Sequence, residues 1–297
     1  MDLDADGNFD ILSGTYSRTD AQPMAGLFQV LYGQKNGAFK QAAVLNGTDD
    51  KPLILPTKDP KEFYHAICTR PFAVDWDGDG DLDLVVGNMT GNFYYFEGLG
   101  KGRFTAKGEP MLDRHDARLR LIPPKPDDPP PGHGDPFAVD FDRDGDLDLL
   151  SGSERGGVQW AENHAGPKKP PALDAMKWLI PPDAELVQEC RPNEYSRPAG
   201  ATRVWVADMN GDGELDILVG DAINLISPKE GVSESDFKKR FADWNEALKD
   251  AFAKQPAEDA SEAEIEASSK RISDLYQQRE EFLTDDRTGF VWVYIQK

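Results

Sequence analysis

The sequence predicts an all-β repeat protein, and three observations carry this prediction. An aspartate-rich stretch occurs four times, beginning at Asp2, Asp75, Asp140 and Asp208. These starts lie 73, 65 and 68 residues apart, and a near-constant period of this size is typical of repeat architectures. The 297 residues include 27 glycines and 22 prolines, and short apolar runs between such turn residues favour many short strands.

Each stretch follows the pattern D-x-[DN]-x-D-G-x-x-D, then two apolar residues, one further residue and glycine. We call its first nine residues an Asp loop and number the loops 1 to 4 along the chain. Oxygens at loop positions 1, 3 and 5 converge when the backbone curls, and the glycine at position 6 permits that curl because it lacks a Cβ. The carbonyl of position 7 and the carboxylate of position 9 add ligands, and Ca²⁺ accepts six to eight oxygens in flexible geometry.

The Asp loops therefore predict up to four Ca²⁺ sites. The predicted ligand positions are Asp2, Asp4, Asp6, Asn8 and Asp10; Asp75, Asp77, Asp79, Asp81 and Asp83; Asp140, Asp142, Asp144, Asp146 and Asp148; and Asp208, Asn210, Asp212, Glu214 and Asp216. The EF-hand begins in the same way but needs Glu at position 12 and two flanking helices. Position 12 is occupied by Ser or Val, and a strand pattern follows each loop, which excludes the EF-hand. A solvated acidic turn is the other alternative, and four copies at one period argue against it.

The residues around loop 2 predict four short antiparallel strands joined by tight turns. Residues 71–75 and 83–88 flank the loop, residues 92–98 follow a turn, and residues 104–111 follow a hairpin. The third of these strands has equivalents at residues 27–33, 158–163 and 290–297. Four-stranded antiparallel units in series are typical of propeller blades, so we expect a β-propeller with about four visible blades.

In its loop motif and in the strands on either side of it, the chain resembles the FG-GAP/VCBS repeat family, the integrin-α-like Ca²⁺-binding propellers. The resemblance covers residues 1–297 except about 221–287, and it implies that each Asp loop joins the first and second strands of a blade. It also implies Ca²⁺ ligation by positions 1, 3, 5 and 9, where Asn210 departs from Asp but still offers an oxygen. The strand before Asp2 is missing and the chain ends one strand short of a blade, so we expect a ring that is incomplete or closes unusually.

Residues 221–287 predict a helical insertion within the last blade. Two apolar stripes at helical spacing indicate two helices within residues 233–285, and Ser235 is expected to cap the first helix. The stripes consist of Phe237, Phe241, Trp244 and Leu248, and of Ile265, Ile272, Leu275 and Phe282. The helices either cover the propeller or form an arm or lid for a partner.

Charge and composition restrict the class of partner and the compartment. The net charge of −21 excludes nucleic acid, because phosphate binding needs a basic surface. No apolar run is long enough to span a membrane, and no signal peptide is visible. Ca²⁺ is plentiful outside the cytoplasm, so we expect a secreted, periplasmic or cell-surface protein. Cys68 and Cys190 either pair or remain free, since sequence alone does not show connectivity.

The long connections, residues 45–70, 107–135, 165–201 and 221–287, are expected on the face opposite the Asp loops. Loops on a rigid scaffold usually carry binding, so we expect a glycan or protein ligand there. The candidate residues are Tyr64, His65, Arg70, His133, Arg191, Tyr195 and Arg197.

Two functions fit these residues. The preferred hypothesis is a non-catalytic recognition or adhesion module, because the sequence contains no nucleophile elbow, phosphate loop, zinc motif or dinucleotide fingerprint. The alternative is a carbohydrate-active enzyme similar to a polysaccharide lyase, in which Arg neutralises a uronate and His or Tyr transfers protons.

Overall fold

The structure is a computed structural model that describes residues 1–17, 24–128, 130–167, 169–182, 189–257 and 260–296. Residues 129, 168, 183–188 and 258–259 belong to the connections predicted to be long, and residue 297 ends the last predicted strand; these lie outside the described residues. The chain forms two compact units. The first contains residues 1–187, 197–222 and 289–297, and the second contains residues 188–196 and 223–288.

The strands form four sheets whose order mostly follows the chain. The first sheet contains β1 (Ile11–Gly14), β2 (Phe28–Leu31) and β3 (Ala43–Val44). The second contains β4 (Arg70–Val74), β5 (Asp83–Gly87), β6 (Phe93–Phe96) and β7 (Glu109–Pro110). The third contains β8 (Asp135–Val139), β9 (Asp148–Gly152), β10 (Val158–Ala161) and β11 (Lys177–Ile180). The fourth contains β12 (Glu189–Cys190), β13 (Gly200–Ala207), β14 (Asp216–Pro228), β15 (Leu283–Thr288) and β16 (Val291–Tyr294).

The predicted four-stranded antiparallel unit is confirmed in the second and third sheets. The fourth strand of the second sheet is shorter than predicted: only Glu109–Pro110 pair with β6, whereas residues 104–111 were expected. Phe104 forms an isolated antiparallel bridge with Gly98, so the pairing begins where predicted but is not a continuous strand before Glu109. A short 3₁₀ helix, Pro60–His65, lies in the connection between the first and second sheets.

The glycine four residues after each of loops 1 to 3 allows consecutive sheets to touch. A Cβ at these glycines would lie about 2 Å from a backbone carbonyl oxygen of the next sheet, which no real Cβ tolerates. A Cβ at Gly14 would lie 1.9 Å from the Thr69 oxygen, and one at Gly87 would lie 2.0 Å from the Gly134 oxygen. A Cβ at Gly152 would lie 2.2 Å from the Thr202 oxygen. At Gly220, the equivalent glycine of the fourth sheet, the nearest atom is the Arg203 Cβ at 3.8 Å. The repeated glycine is therefore a sheet-to-sheet contact point.

Apolar side chains fill the spaces between consecutive sheets of the first unit. Phe28 and Phe96 pack edge to face between the first and second sheets, with ring centroids 5.6 Å apart. Phe72 and Phe137 meet between the second and third sheets with tilted rings, whose centroids are 4.9 Å apart. Among the described residues of this unit, no core cluster joins the first sheet to the fourth, and no closed propeller is seen. The number of blades therefore stays a prediction.

The second unit contains the two helices that the sequence predicts, α1 (Glu234–Ala253) and α2 (Glu262–Arg279). The expected cap at Ser235 is wrong. Ser233 caps α1, because its backbone is extended and its Oγ accepts a hydrogen bond from the Asp236 N–H at 3.2 Å, whereas Ser235 already lies inside the helix.

The first apolar stripe packs as expected into a core with Phe282 and Leu283. The second stripe is only partly helical and partly buried: Phe282 lies beyond the end of α2, Leu275 packs against this core, and Ile265 is 45 % exposed. Arg279, the last residue of α2, is a buried charged residue of this unit. Its guanidinium lies 5.0 Å from the Trp244 ring centre and 2.6 Å from the Glu189 carboxylate.

Candidate functional site

Loops 2, 3 and 4 each connect two paired antiparallel strands, which we call the first and second strands of a repeat: β4 and β5, β8 and β9, and β13 and β14. Loop 1 precedes β1 directly. The position expected for the Asp loops within a repeat is therefore confirmed wherever the first strand is described.

All four Asp loops share one set of internal hydrogen bonds. The N–H of position 6 donates to the position 1 carboxylate at 2.9, 3.1, 3.2 and 2.9 Å in loops 1 to 4. The N–H of position 7 donates to the position 5 carboxylate at 2.9, 2.8, 3.2 and 2.8 Å. The backbone at positions 4 and 6 is left-handed in every copy, and position 4 includes the non-glycine residues Ala5 and Arg143. The sequence pattern therefore produces the same curled loop four times.

Position 9 fastens each loop to its sheet. Its carboxylate accepts one hydrogen bond from the position 2 N–H and another from the backbone N–H just beyond the third strand. In loop 2, Asp83 accepts from Trp76 at 2.9 Å and from Gly98 at 2.6 Å. The same pair of bonds forms at Asp10, Asp148 and Asp216. Each carboxylate oxygen retains a second lone pair, so this fastening role is compatible with ligation.

Carboxylate oxygens converge within three of the loops. The groups whose oxygens lie within 4.8 Å of one another are Asp2, Asp4 and Asp6; Asp75, Asp77 and Asp83; and Asp140, Asp142 and Asp144. The Oδ1 atoms of Asp75, Asp140 and Asp146 are buried and accept no hydrogen bond. Buried polar atoms normally have partners, and oxygen-only ligands at this density suit Ca²⁺. These residues therefore fit a bound Ca²⁺ ion, which would neutralise their mutual repulsion.

The pKa values of the carboxyl groups in loop 3 also indicate a cation site. Burial raises the pKa of Asp148 to about 6, although the N–H of Asn163 opposes this, and the nearby Asp142 carboxylate raises it further. Burial and neighbouring carboxylates also raise the pKa values of Asp142 and Asp146. A divalent cation reverses such shifts because it favours the ionised form of every ligand.

A further group of potential ligands, Glu162, His164 and Asp174, lies after β10. Lys177 already contacts Glu162 at 2.6 Å, and Arg114 contacts Asp174 at 2.8 Å. The two carboxylates are therefore neutralised by side chains, and we place no ion there.

The opposite end of the first strands carries a second cluster, which we call the strand-start cluster. Cys68, His133 and Ala201 each stand seven residues before position 1 of a loop, and all three have left-handed backbone, with φ of 56°, 60° and 52°. Two residues later, Arg70 and Arg203 contact the same Asp135 oxygen at 3.6 and 3.2 Å. Equivalent positions in three repeats therefore place different chemical groups side by side.

Cys68 is the thiol of this cluster and forms no disulfide with Cys190. Burial raises the pKa of the Cys68 thiol, but a hydrogen bond and the positive charge of His133, together with Arg70, outweigh burial and lower it. The hydrogen bond to Cys68 likewise raises the pKa of His133. The Arg70 Nη2 lies 3.9 Å from the sulfur. Each of the two side chains therefore favours the ionised form of the other.

The seven predicted ligand residues fall into several environments. The rings of Tyr64 and His65 lie 4.5 Å apart, and His65 Nδ1 contacts the Thr90 hydroxyl at 3.0 Å. Arg70 and His133 belong to the strand-start cluster described above. Arg191 and Tyr195 belong to the second unit, where Arg191 forms a two-pronged ion pair with Glu234 at 2.9 and 3.1 Å. In the first unit, Arg197 lines a small cavity with Tyr294.

Sequence reasoning missed Asp135 and Arg203 as functional candidates. A signal was available: both stand five residues before position 1 of a loop, as Arg70 does. The three residues occupy the same position when the repeats are aligned by sequence. Only the packing of β4, β8 and β13 shows that their side chains are in contact.

Two overlapping segments, residues 75–151 and 140–219, match the sequence profile of the FG-GAP-like repeat family. Together they include loops 2, 3 and 4 and the strands around them. No curated protein matches the chain. The tandem match agrees with the loop geometry and with the strands that flank the loops, so residues 75–219 contain two tandem FG-GAP-like repeats.

Proposed function

We propose that this protein is an extracytoplasmic, Ca²⁺-binding recognition or adhesion module that does not catalyse a reaction. The observation that carries the proposal is the identical curled geometry of four Asp loops, with buried carboxylate oxygens that lack a hydrogen-bond donor in loops 2 and 3. Such oxygens are costly without a partner, and a hard cation satisfies them.

The proposed location follows from the metal. Ca²⁺ sites of moderate affinity fill where Ca²⁺ is abundant, as it is outside the cytoplasm. Among the described residues, neither α1 nor α2 is apolar enough to cross a bilayer. The ligand is proposed to bind on the face away from the Asp loops, because the loops offer four similar surfaces and little shape for selective binding.

The geometry supports recognition better than lyase chemistry. Lyase chemistry needs a base and an acid that face one substrate. In the first unit, the Nδ1 atom of His65 contacts Thr90 and His133 contacts Cys68, so no described contact pairs these two imidazoles as an acid and a base. Arg191 is already neutralised by Glu234.

Calorimetric titration of chelator-stripped protein with Ca²⁺ tests this proposal. We expect up to four sites, and Asp75→Asn should remove one of them because it removes a carboxylate oxygen from the centre of loop 2. Asp274→Asn is the matched control, since Asp274 is an exposed α2 residue outside every loop. Each site that is filled at 100 times its Kd stabilises the fold by about 2.7 kcal/mol, so EDTA should lower the melting temperature. A titration without heat, together with an unchanged melt in EDTA, would refute the proposal.

A further inference from the structure

A cavity of about 510 Å³ lies beside Tyr94 on the side of the second sheet away from loop 2. We call it the Tyr94 cavity. Tyr94 follows the 88–92 turn between β5 and β6, and Pro110, its partner in β7, lies opposite it. The loop 2 residues lie at the other end of β5. The volume falls within the range of about 300–1,000 Å³ that is usual for small-ligand sites.

The cavity collects positive charge in a chain whose net charge is −21. Its cationic lining residues are Lys58, Lys107 and Arg118. Lys107 lies 3.4 Å from the Glu109 carboxylate, whereas Lys58 makes no ion pair with any residue in the described parts of the chain. An anion at this position would find at least one unneutralised cation.

Arg118 is held in position by Tyr94. Its Nη2 donates to the Tyr94 hydroxyl at 3.1 Å, and its guanidinium lies 5.1 Å from the centre of the Tyr94 ring. Tyr94 itself is 1 % exposed, so it is a rigid support. The guanidinium is a planar fork whose geometry matches a carboxylate, and fixing it beforehand reduces the entropy lost on binding.

Acidic groups also line the cavity, and they restrict the class of ligand. Glu62 and Glu109 stand among the cationic residues and would repel a ligand with closely spaced negative charges, such as an acidic peptide. Their carboxylates can, however, accept hydrogen bonds from the hydroxyl groups of a ligand. His65 also lines the cavity, and its Nδ1 is engaged by Thr90, which leaves Nε2 for a ligand. The set suits a molecule with one carboxylate and several hydroxyls.

From this geometry we propose that the Tyr94 cavity binds a uronate residue of an acidic saccharide, with Arg118 and Lys58 on its carboxylate and Glu62, Glu109 and His65 on its hydroxyls. The inference rests on the proposed recognition function and specifies its ligand class. Tyr64, which is 40 % exposed and packs against His65, offers a ring face to a neighbouring sugar.

The test is calorimetric titration of the Ca²⁺-loaded protein with a tetrasaccharide of alternating glucuronate and N-acetylglucosamine. The control ligand is the same tetrasaccharide with its carboxylates methyl-esterified. We expect the acid to bind and the ester to bind at least about tenfold more weakly, because a charge-assisted hydrogen-bond pair is worth that much. Equal binding of acid and ester, or no binding of the acid at millimolar concentration, overturns the inference.

Three variants locate the site. Arg118→Gln should weaken binding of the acid about tenfold and leave the ester unaffected, and Tyr94→Phe should have a smaller effect because it frees the guanidinium while keeping the ring. Arg120→Gln is the matched control, since Arg120 is exposed and two residues away but does not line the cavity. Unchanged binding in Arg118→Gln overturns the assignment. Ca²⁺ titration of the same samples reports the loops separately, so a chain that binds Ca²⁺ but no acid refutes this inference alone.

Discussion

The two ends of the first strands repeat in different ways. At the C-terminal ends of β4, β8 and β13, backbone and side chains both repeat, and each Asp loop forms the same hydrogen bonds. At the N-terminal ends the backbone repeats, with a left-handed residue at each equivalent position, but the side chains do not: they are Cys68, His133 and Ala201.

This difference separates two tasks. A metal loop needs the same ligands in every copy, because the ion imposes the same coordination each time. A surface that selects one ligand needs different chemical groups at equivalent positions, because identical groups in every repeat offer no distinctive pattern of contacts. The strand-start cluster and the Tyr94 cavity both lie on the varied side of the sheets, where we propose that recognition occurs.

The largest expected effect concerns the contact between sheets. Gly87→Ala should destabilise the fold by about 3 kcal/mol, because the new Cβ would stand 2.0 Å from the Gly134 oxygen and force the second and third sheets apart. Gly220→Ala is the matched control, with its nearest neighbour at 3.8 Å. Denaturant unfolding should show the first loss and only a small change in the control. Equal losses would mean that the glycine serves the strand and not the contact between sheets.

A smaller effect is expected at the fastening aspartate. Asp83→Asn should cost about 2 kcal/mol in EDTA, because an amide replaces one of two oxygens that accept backbone N–H bonds and a buried donor is left without an acceptor. Asp81→Asn, at position 7 of the same loop, should change stability by less than about 0.5 kcal/mol. Denaturant unfolding of both variants without Ca²⁺ makes the comparison. If both cost the same, position 9 has no fastening role.

The strand-start cluster should make stability depend on pH. Burial raises the pKa of Asp135 to about 7, although Arg70 opposes this. The native carboxyl then holds a proton that the unfolded chain releases near pH 4, so stability falls as pH rises from about 4 to 7, by up to about 1.4 kcal/mol per pH unit. In Asp135→Asn, the free energy of unfolding should lose the part of its pH dependence that comes from this carboxyl. A slope that survives the substitution contradicts the shift.

The smallest expected effect is on thiol reactivity. In a Cys190→Ser background, the only thiol left is Cys68, and its reaction with a small aromatic disulfide reports the pH at which the thiolate forms. His133→Ala should move this midpoint to higher pH, because it removes the hydrogen bond and charge that lower the Cys68 pKa. Comparing midpoints avoids any dependence on access to this buried sulfur, which is 7 % exposed. An unmoved midpoint would mean that His133 does not stabilise the thiolate.

The sequence by itself determined the features that arise within a short stretch of chain. The nine-residue spacing set the curl of each Asp loop, because glycine at position 6 and carboxylates two residues apart act locally. Short apolar runs between turn residues set β5 and β9, and helical spacing set α1. The prediction was wrong for the ends of the insertion, because β14 continues to Pro228 and pairs there with β15. The prediction also failed in the helices. Ser233 and Ser235 are both good caps, and Ile265 continues an apolar stripe but is exposed, whereas Arg279 is buried.

Only the tertiary structure decided which distant residues meet. Asp135 lies 65 residues from Arg70 and 68 from Arg203, yet it contacts both. The Tyr94 cavity likewise combines a connection before β4 with residues around β7. Such contacts depend on how closely one sheet approaches the next, and that distance is set by glycines such as Gly87 together with the packing of whole sheets. The period of the sequence predicts that repeats exist, whereas the fit between neighbouring sheets determines which side chains face each other.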